Sequence, residues 1–194
     1  MQKKMLIIGA ALTLALAAAG PSIRIGAAQE APVEIGPVEL GAPAADEAPG
    51  DGLPGRPVAN EGASHASQCT AVTYAHNPPA SGTHYPTWAR PGVYVEPVPV
   101  GKWVHSLEHG YIVILYDCAE PCPELTEQLR QFYETAPKSE RFRYQKLVVT
   151  PASGLAHRLT ILAWDRIDEL DDFDGERLLA FYQAFHDRGP EVAG

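Results

Sequence analysis

The fold of this chain depends on one stretch, Val104-His105-Ser106-Leu107-Glu108-His109-Gly110-Tyr111-Ile112-Val113-Ile114-Leu115-Tyr116. Its second half, residues 111–116, is a continuous apolar run, so both faces of a strand there would be apolar. This is typical of a strand that is covered on both faces. We therefore predict a central strand there. The first half places His105 and His109 four residues apart, on one face of a helical turn. Gly110 limits that helix to little more than one turn, so two imidazoles should lie directly before the central strand.

The segments on either side supply further strands and two helices. We predict strands at 70–74, 92–95, 146–150 and 159–164, helices at 122–136 and 175–188, and a solvated acidic loop at 168–174. Pro123 suits the first turn of the first helix, and Asp174 can cap the second. This order predicts an α+β fold, with a small mixed or antiparallel sheet and two main helices packed on it.

The N-terminal part of the chain has the pattern of an export signal followed by a linker. Lys3 and Lys4 precede an apolar run, and Gly26-Ala27-Ala28 is a plausible cleavage site, so residues 1–28 are predicted to be a signal peptide. The run is shorter than the roughly 20 residues that span a bilayer, and an uncleaved anchor is the alternative. Residues 29–60 are rich in Pro, Gly and acidic residues without any aromatic, which predicts a disordered linker.

We therefore expect one globular domain at 61–194, in a protein that is exported to the periplasm or beyond. An uncleaved signal would tether it to the inner membrane. The formal net charge of −9 comes without any Lys/Arg cluster, which argues against nucleic acid and anionic lipid as partners. Apart from that N-terminal anchor we expect no membrane contact, and the sequence identifies no protein partner.

Histidines form the first candidate site. A metal site needs three or four donors at about 2 Å, and the predicted ligands are His84, His105, His109 and His65, with Glu108 either as a ligand or as a carboxylate that orients an imidazole. Imidazole suits copper and zinc alike, so the predicted cofactor is one of these two ions. Alternatively, the histidines are structural and donate to backbone carbonyls in a non-catalytic interaction module.

Cysteines form the second candidate site. The chain has three, Cys69, Cys118 and Cys122, and an exported protein is expected to form a disulfide, for which every pairing remains open. Cys118 and Cys122 form a C-x3-C-P segment at a predicted helix start, where the helix dipole favours a thiolate. Over about ten residues this resembles the copper-chaperone branch of the thioredoxin-like proteins. A structural disulfide, soft-metal ligation and thiol–disulfide or copper transfer are the alternatives.

Catalysis is not predicted. Residues 105–109 satisfy H-x-x-E-H, the inverted zinc-peptidase signature. That chemistry needs the motif inside a sustained helix and a third ligand from a later helix. Here Gly110 follows at once, and the sequence offers no complete catalytic constellation.

Two longer blocks resemble a known family. Residues 74–86 (YAHNPPASGTHYP) and 104–110 (VHSLEHG) are similar to signature blocks of the bacterial domain of unknown function 3105 family. Residues 61–65 and 189–191 resemble the opening and the close of that domain, so the resemblance covers residues 61–191. The polar residues shared at motif positions are His65, His84, His105, Glu108 and His109. The resemblance implies no established activity, and the cysteines depart from the family pattern.

Overall fold

The structure is a computed structural model that describes residues 51–194, except Cys69, Val192 and Gly194. The predicted signal peptide (1–28) and residues 29–50 of the predicted linker therefore lie outside the described residues. Among the described helices, none has the length and apolarity needed to cross a bilayer.

Six strands form one mixed sheet. They are β1 (Arg56–Pro57), β2 (Gly92–Val93), β3 (Ile112–Tyr116), β4 (Leu147–Pro151), β5 (Leu159–Ala163) and β6 (Arg166–Leu170), in the spatial order β1-β6-β5-β3-β4-β2. β3 pairs in parallel with β4 and antiparallel with β5. The described helices are α1 (Val100–Glu108), α2 (Pro123–Thr135) and α3 (Gly175–Phe185). The predicted α+β class and the central position of β3 are confirmed.

The core lies on both faces of β3. Because side chains alternate along a strand, Ile112 and Ile114 pack with residues of α2 and α3, whereas Val113 and Leu115 pack with residues of α1. All five residues of β3 are buried. Burying a large aliphatic side chain contributes roughly 1.5–3 kcal/mol. The strand that follows the histidine segment is therefore a rigid support for it.

Three local predictions differ from the structure. The single turn expected before β3 is a nine-residue helix, α1, which begins directly after Pro99. Residues 70–74 form no strand, although Tyr74 packs against the core. Asp168 lies in β6 rather than in a solvated loop, and its buried carboxylate accepts hydrogen bonds from Arg177 at 2.6 and 2.8 Å. That ion pair explains why a charged segment forms a strand.

The ordered domain begins before the predicted boundary at residue 61. Arg56 and Pro57 pair antiparallel with β6. Asp51 accepts hydrogen bonds at 2.5 and 2.7 Å from the guanidinium of Arg166, a nearly buried side chain. Residues 51–60 thus lie along the edge of the sheet, although their composition predicts a linker.

Candidate metal centre

The C-terminal end of α1 presents three polar side chains, those of His105 and Glu108 in its last turn and that of the C-cap residue His109. The helix ends in a Schellman motif, in which the Tyr111 N–H donates to the Ser106 carbonyl (3.0 Å) and the Gly110 N–H to the Leu107 carbonyl (2.9 Å). Gly110 has the left-handed φ of +76° that this motif requires. The chain therefore turns sharply into β3 and leaves the three polar side chains on one side of the helix end.

Residues 187–191, here called the C-terminal strap, lie against this helix end. The Asp187 N–H donates to the Gly110 carbonyl (2.8 Å), and the Glu191 N–H donates to the Glu108 carbonyl (3.0 Å). A Cβ atom at Gly189 would stand 2.1 Å from the Glu108 carbonyl oxygen, so only glycine permits this approach. The strap brings Glu191 beside the histidines.

A second pair of segments delivers His65 and His84. The Ala66 N–H donates to the His84 carbonyl (2.7 Å), and the His84 N–H donates to the Ser64 carbonyl (2.9 Å). These bonds form a short parallel bridge between His65 and His84. Two loops far apart in the sequence are thereby held together in front of α1.

Four potential ligand atoms converge at the centre of this arrangement. Glu108 Oε2 lies 3.0 Å from His84 Nε2, 3.9 Å from His105 Nε2 and 4.0 Å from His65 Nε2. One ligand atom from each of the four residues lies within 4.8 Å of all the others. Donors that surround an ion tetrahedrally at about 2.0–2.1 Å stand about 3.3–3.4 Å apart. This His/Glu group could therefore hold a metal ion after small side-chain adjustments.

Backbone carbonyls fix the tautomers of the two buried imidazoles. His84 Nδ1 lies 2.8 Å from the Gly82 carbonyl oxygen, and His105 Nδ1 lies 2.5 Å from the Tyr85 carbonyl oxygen. A carbonyl oxygen only accepts, so in the neutral ring each Nδ1 carries the proton and each Nε2 presents a lone pair. Metal-bound histidines have the same arrangement, because the remote N–H orients the ring.

Within the described part of the chain, His84 Nε2 and Glu108 Oε2 are buried and have no hydrogen-bond partner. His84 is 0% exposed and Glu108 is 3% exposed. Two lone-pair atoms that face each other at 3.0 Å repel unless a proton or a cation lies between them. A proton on Glu108 or a metal cation between the two atoms would satisfy both of them.

Burial shifts the protonation of the group towards neutral forms. Loss of solvation lowers the pKa of His84 and that of His105. Burial, followed by the nearby His105, lowers the pKa of His109 to about 4. Burial raises the pKa of Glu108. Neutral imidazole is the form that coordinates a metal. A metal cation would also supply the positive counter-charge that an ionised Glu108 carboxylate needs when it is buried.

His109 lies beside the four-residue group. Its Nε2 is 3.0 Å from His105 Nε2 and 3.4 Å from Glu191 Oε2. The indole ring of Trp88 packs edge-on against it, with ring centroids 4.8 Å apart. The sequence predicts one shared ion for His105 and His109, whereas the structure groups His105 with His65, His84 and Glu108, and groups His109 with Glu108 and Glu191. The sequence analysis does not predict Glu191 as a ligand, although residues 189–191 resemble the close of the family domain.

The other histidines have separate roles. His76 Nδ1 lies 2.8 Å from Glu61 Oε1. The same oxygen accepts from the His76 N–H, and Glu61 Oε2 accepts from the Ala75 N–H. His157 pairs with Asp171 at the surface. His186 stacks on Tyr182 at the C-terminal end of α3.

Cys118 and Cys122 form a disulfide at the start of α2. Cys122 is the N-cap residue of that helix and Pro123 is its first residue. Neither cysteine is therefore paired with Cys69, which lies outside the described residues, and neither belongs to the histidine group.

Fold and site together define an α+β domain with a buried histidine–glutamate group at the end of a helix. A family model described as protein of unknown function (DUF3105) matches residues 65–194, and the chain belongs to this family. The match covers the four-residue group, the strap and the disulfide. No significant match to a curated protein or to a solved structure was found.

Proposed function

We propose that this domain binds a transition-metal ion, zinc or copper, through His65, His84, His105 and Glu108. One observation carries the proposal. The unpartnered His84 Nε2 and Glu108 Oε2 face each other at 3.0 Å inside the protein, at the point where the other two imidazoles converge. Leaving such groups without a partner costs about 1–3 kcal/mol each, and a metal ion would remove that cost.

The donor set narrows the choice of ion. Three imidazole nitrogens and one carboxylate oxygen suit Zn²⁺ and Cu²⁺, whereas Cu⁺ prefers thiolate and thioether ligands. Cys118 and Cys122 are joined to each other and offer no thiolate. The proposal therefore favours the divalent ions over Cu⁺.

The ligand set also indicates the kind of site. Four protein ligands fill a tetrahedral site and leave no open position for a substrate, as in structural or storage sites. His65 differs from the other three because its side chain is 48% exposed. We propose that the ion enters and leaves past His65, and that the domain holds metal rather than catalysing a reaction.

Export to the cell envelope is part of the proposal. The N-terminal pattern supports it, and so does the disulfide between Cys118 and Cys122, a bond that oxidising compartments maintain. A domain that binds metal there would act on the extracytoplasmic pool of the ion.

Elemental analysis tests the proposed function. The purified chain is loaded with Zn²⁺ or Cu²⁺ and desalted, and we expect at least one retained equivalent. Glu108→Gln keeps the side-chain shape but removes the charge, and it should abolish retention of that ion. Glu120→Gln removes the same charge from an exposed loop and serves as the matched control. No retained metal in the wild type would leave the histidines as loop architecture, and equal retention in Glu108→Gln would remove Glu108 from the site.

Thiol–disulfide exchange is the second candidate function. The observation that favours it is the position of the Cys118–Cys122 disulfide at a helix N-terminus, with both residues only partly buried. Thiol counts after equilibration in glutathione buffers measure its reduction potential. A reduction potential below about −300 mV is typical of a structural disulfide. That result would exclude thiol–disulfide exchange as the function.

A further inference from the structure

Glu108 belongs to two groups of potential ligands. In the first it lies with His65, His84 and His105, and in the second it lies with His109 and Glu191. Within each group, one ligand atom from each residue lies within 4.8 Å of the others. A carboxylate has two oxygens and can bridge two cations, one on each oxygen.

His109 is the nitrogen donor of the second group. His105 Nδ1 keeps its proton on the Tyr85 carbonyl, so the 3.0 Å contact between the two Nε2 atoms requires His109 to donate and His105 to accept. Once His105 binds an ion, its lone pair is used and this bond is lost. His109 Nδ1 is buried and has no partner among the described residues, so the Nε2 proton is then left facing Glu191 Oε2 at 3.4 Å.

A cation that displaces this proton to solvent would find the Nε2 lone pair of His109 and Glu191 Oε2 facing each other at 3.4 Å. These two lone pairs cannot bond to each other, and the Glu108 carboxylate lies beside them. Nitrogen and carboxylate donors that face each other in this way are a natural ligand set for a divalent cation.

We infer that Glu108 bridges two metal ions, the second of which is held by Glu108, His109 and Glu191. The inference rests on the proposed function, since it needs the first ion on His105. The second set has three protein ligands, so its remaining positions are free for water or for a small oxygen-donor ligand such as an oxyanion. Glu191 is exposed, so solvent reaches this position and its ion should exchange faster than the first.

The C-terminal strap is the element that completes the second position. It is tied to the end of α1 by the backbone bonds of Asp187 and Glu191. Lys146 strengthens this attachment, because its buried ammonium donates to the His109 carbonyl (2.5 Å) and pairs with Asp187 (3.3 Å). The backbone that carries Glu191 is therefore fixed, whereas its side chain is free to close on an ion.

Calorimetric titration with Zn²⁺ and elemental analysis of the purified full chain test the inference. We expect two equivalents in the wild type and one in Glu191→Gln, a surface change that leaves the fold intact. Glu120→Gln is the matched control and should keep two. With Cu²⁺ in place of Zn²⁺, ions that share one carboxylate couple magnetically, so the paramagnetic resonance signal of the doubly loaded wild type should fall well below its copper content.

Each other outcome has a distinct meaning. One equivalent in both proteins would overturn the second position and leave the proposed function standing. Two equivalents in both proteins, or an uncoupled copper signal at two equivalents, would place the second ion elsewhere and also overturn it. No bound metal in either protein would overturn the proposed function, and the inference with it.

Discussion

At the scale of single residues, the four side chains of the proposed site differ in how they affect folding. His84, His105 and Glu108 are buried, so replacing any of them disturbs packing as well as ligation. His65 is about half exposed, and its backbone rather than its ring bridges to His84. His65 is therefore the residue at which metal binding and folding can be separated.

We predict that His65→Ala weakens metal affinity while stability of the metal-free protein is retained. Surface substitutions usually change the free energy of unfolding by at most about 0.5 kcal/mol. Loss of a partner outside the ligand shell lowers metal affinity roughly tenfold or more. Loss of a ligand should lower the affinity by at least as much. Competition with a chromophoric chelator measures the affinity, and urea unfolding measures the stability. His157→Ala, at another exposed histidine, is the control, and equal affinities in both variants would remove His65 from the site.

At the scale of elements, the end of α1 decides where the site lies. Gly110 and Gly154 have the same left-handed φ of +76°. A Cβ at Gly154 would meet nothing within 4 Å, whereas a Cβ at Gly110 would stand 2.8 Å from the Gly189 nitrogen. The two glycines thus separate the cost of backbone conformation from the cost of crowding against the strap.

We predict that Gly154→Ala destabilises the protein by about 1–2 kcal/mol, the usual cost of a left-handed conformation for a residue with a Cβ. Gly110→Ala should cost at least about 1 kcal/mol more, because the added methyl group forces the strap away from the helix end. Urea unfolding of both variants measures the difference. Equal losses would mean that the strap is not packed against Gly110.

The disulfide at the start of α2 should affect stability without affecting the metal. Cys118 and Cys122 are four positions apart, and closing so short a loop stabilises by about 2 kcal/mol. Replacing both with Ser should lower the free energy of unfolding by about that amount and leave the bound metal unchanged. A loss of metal in the double variant would instead favour a copper site built on the cysteines.

Helix α1 illustrates why the sequence predicts some elements better than others. The helices α2 and α3 have long apolar stripes, α2 has Pro123 in its first turn and Asp174 caps α3, so their observed bounds match the predicted ones to within a few residues. α1 is short and follows Pro97 and Pro99, which suggest a loop. The spacing of Trp103, Val104 and Leu107, which all face the core, is the signal that identifies it. Strand β6 lacked any such signal, because its charged residues are compensated by Arg177 and Asp51, which lie elsewhere in the chain.

At the scale of the whole molecule, residues 51–60 close one edge of the sheet. Arg166 is nearly buried and pairs with the exposed Asp51. Hydrogen bonds from Arg166 are the main cause that lowers the pKa of Asp51 to about 2. A depressed carboxyl pKa stabilises the fold above the unfolded value of 3.8, and that contribution is lost as the pH falls towards about 2.

We predict that Asp51→Asn lowers the melting temperature at pH 7, and that its difference from the wild type disappears as the pH falls from about 4 to about 2. Thermal unfolding followed by circular dichroism across that range measures this. Asp172→Asn is the control, since Asp172 is largely exposed and lies 3.7 Å from Arg158. A difference that persists unchanged at low pH would mean that the Asp51–Arg166 pair does not fasten residues 51–60 to the sheet.

The composition of the site was partly accessible from sequence. The spacing of His105 and His109 and the motif positions of His65 and His84 suggested a cluster. The sequence does not predict which of these residues group together, because the grouping depends on the bridge between residues 64–66 and His84 and on the strap that carries Glu191. Both are long-range backbone contacts without a local pattern in the sequence.

X-ray absorption at the zinc or copper edge of the loaded protein tests the central claim most directly. The account predicts a first shell of nitrogen and oxygen only, at about 2.0–2.1 Å, with the outer-shell scattering of imidazole rings and without sulfur. Sulfur scattering at about 2.3 Å would contradict it and assign the ion to the cysteines. A protein that retains no ion after desalting would contradict it as well.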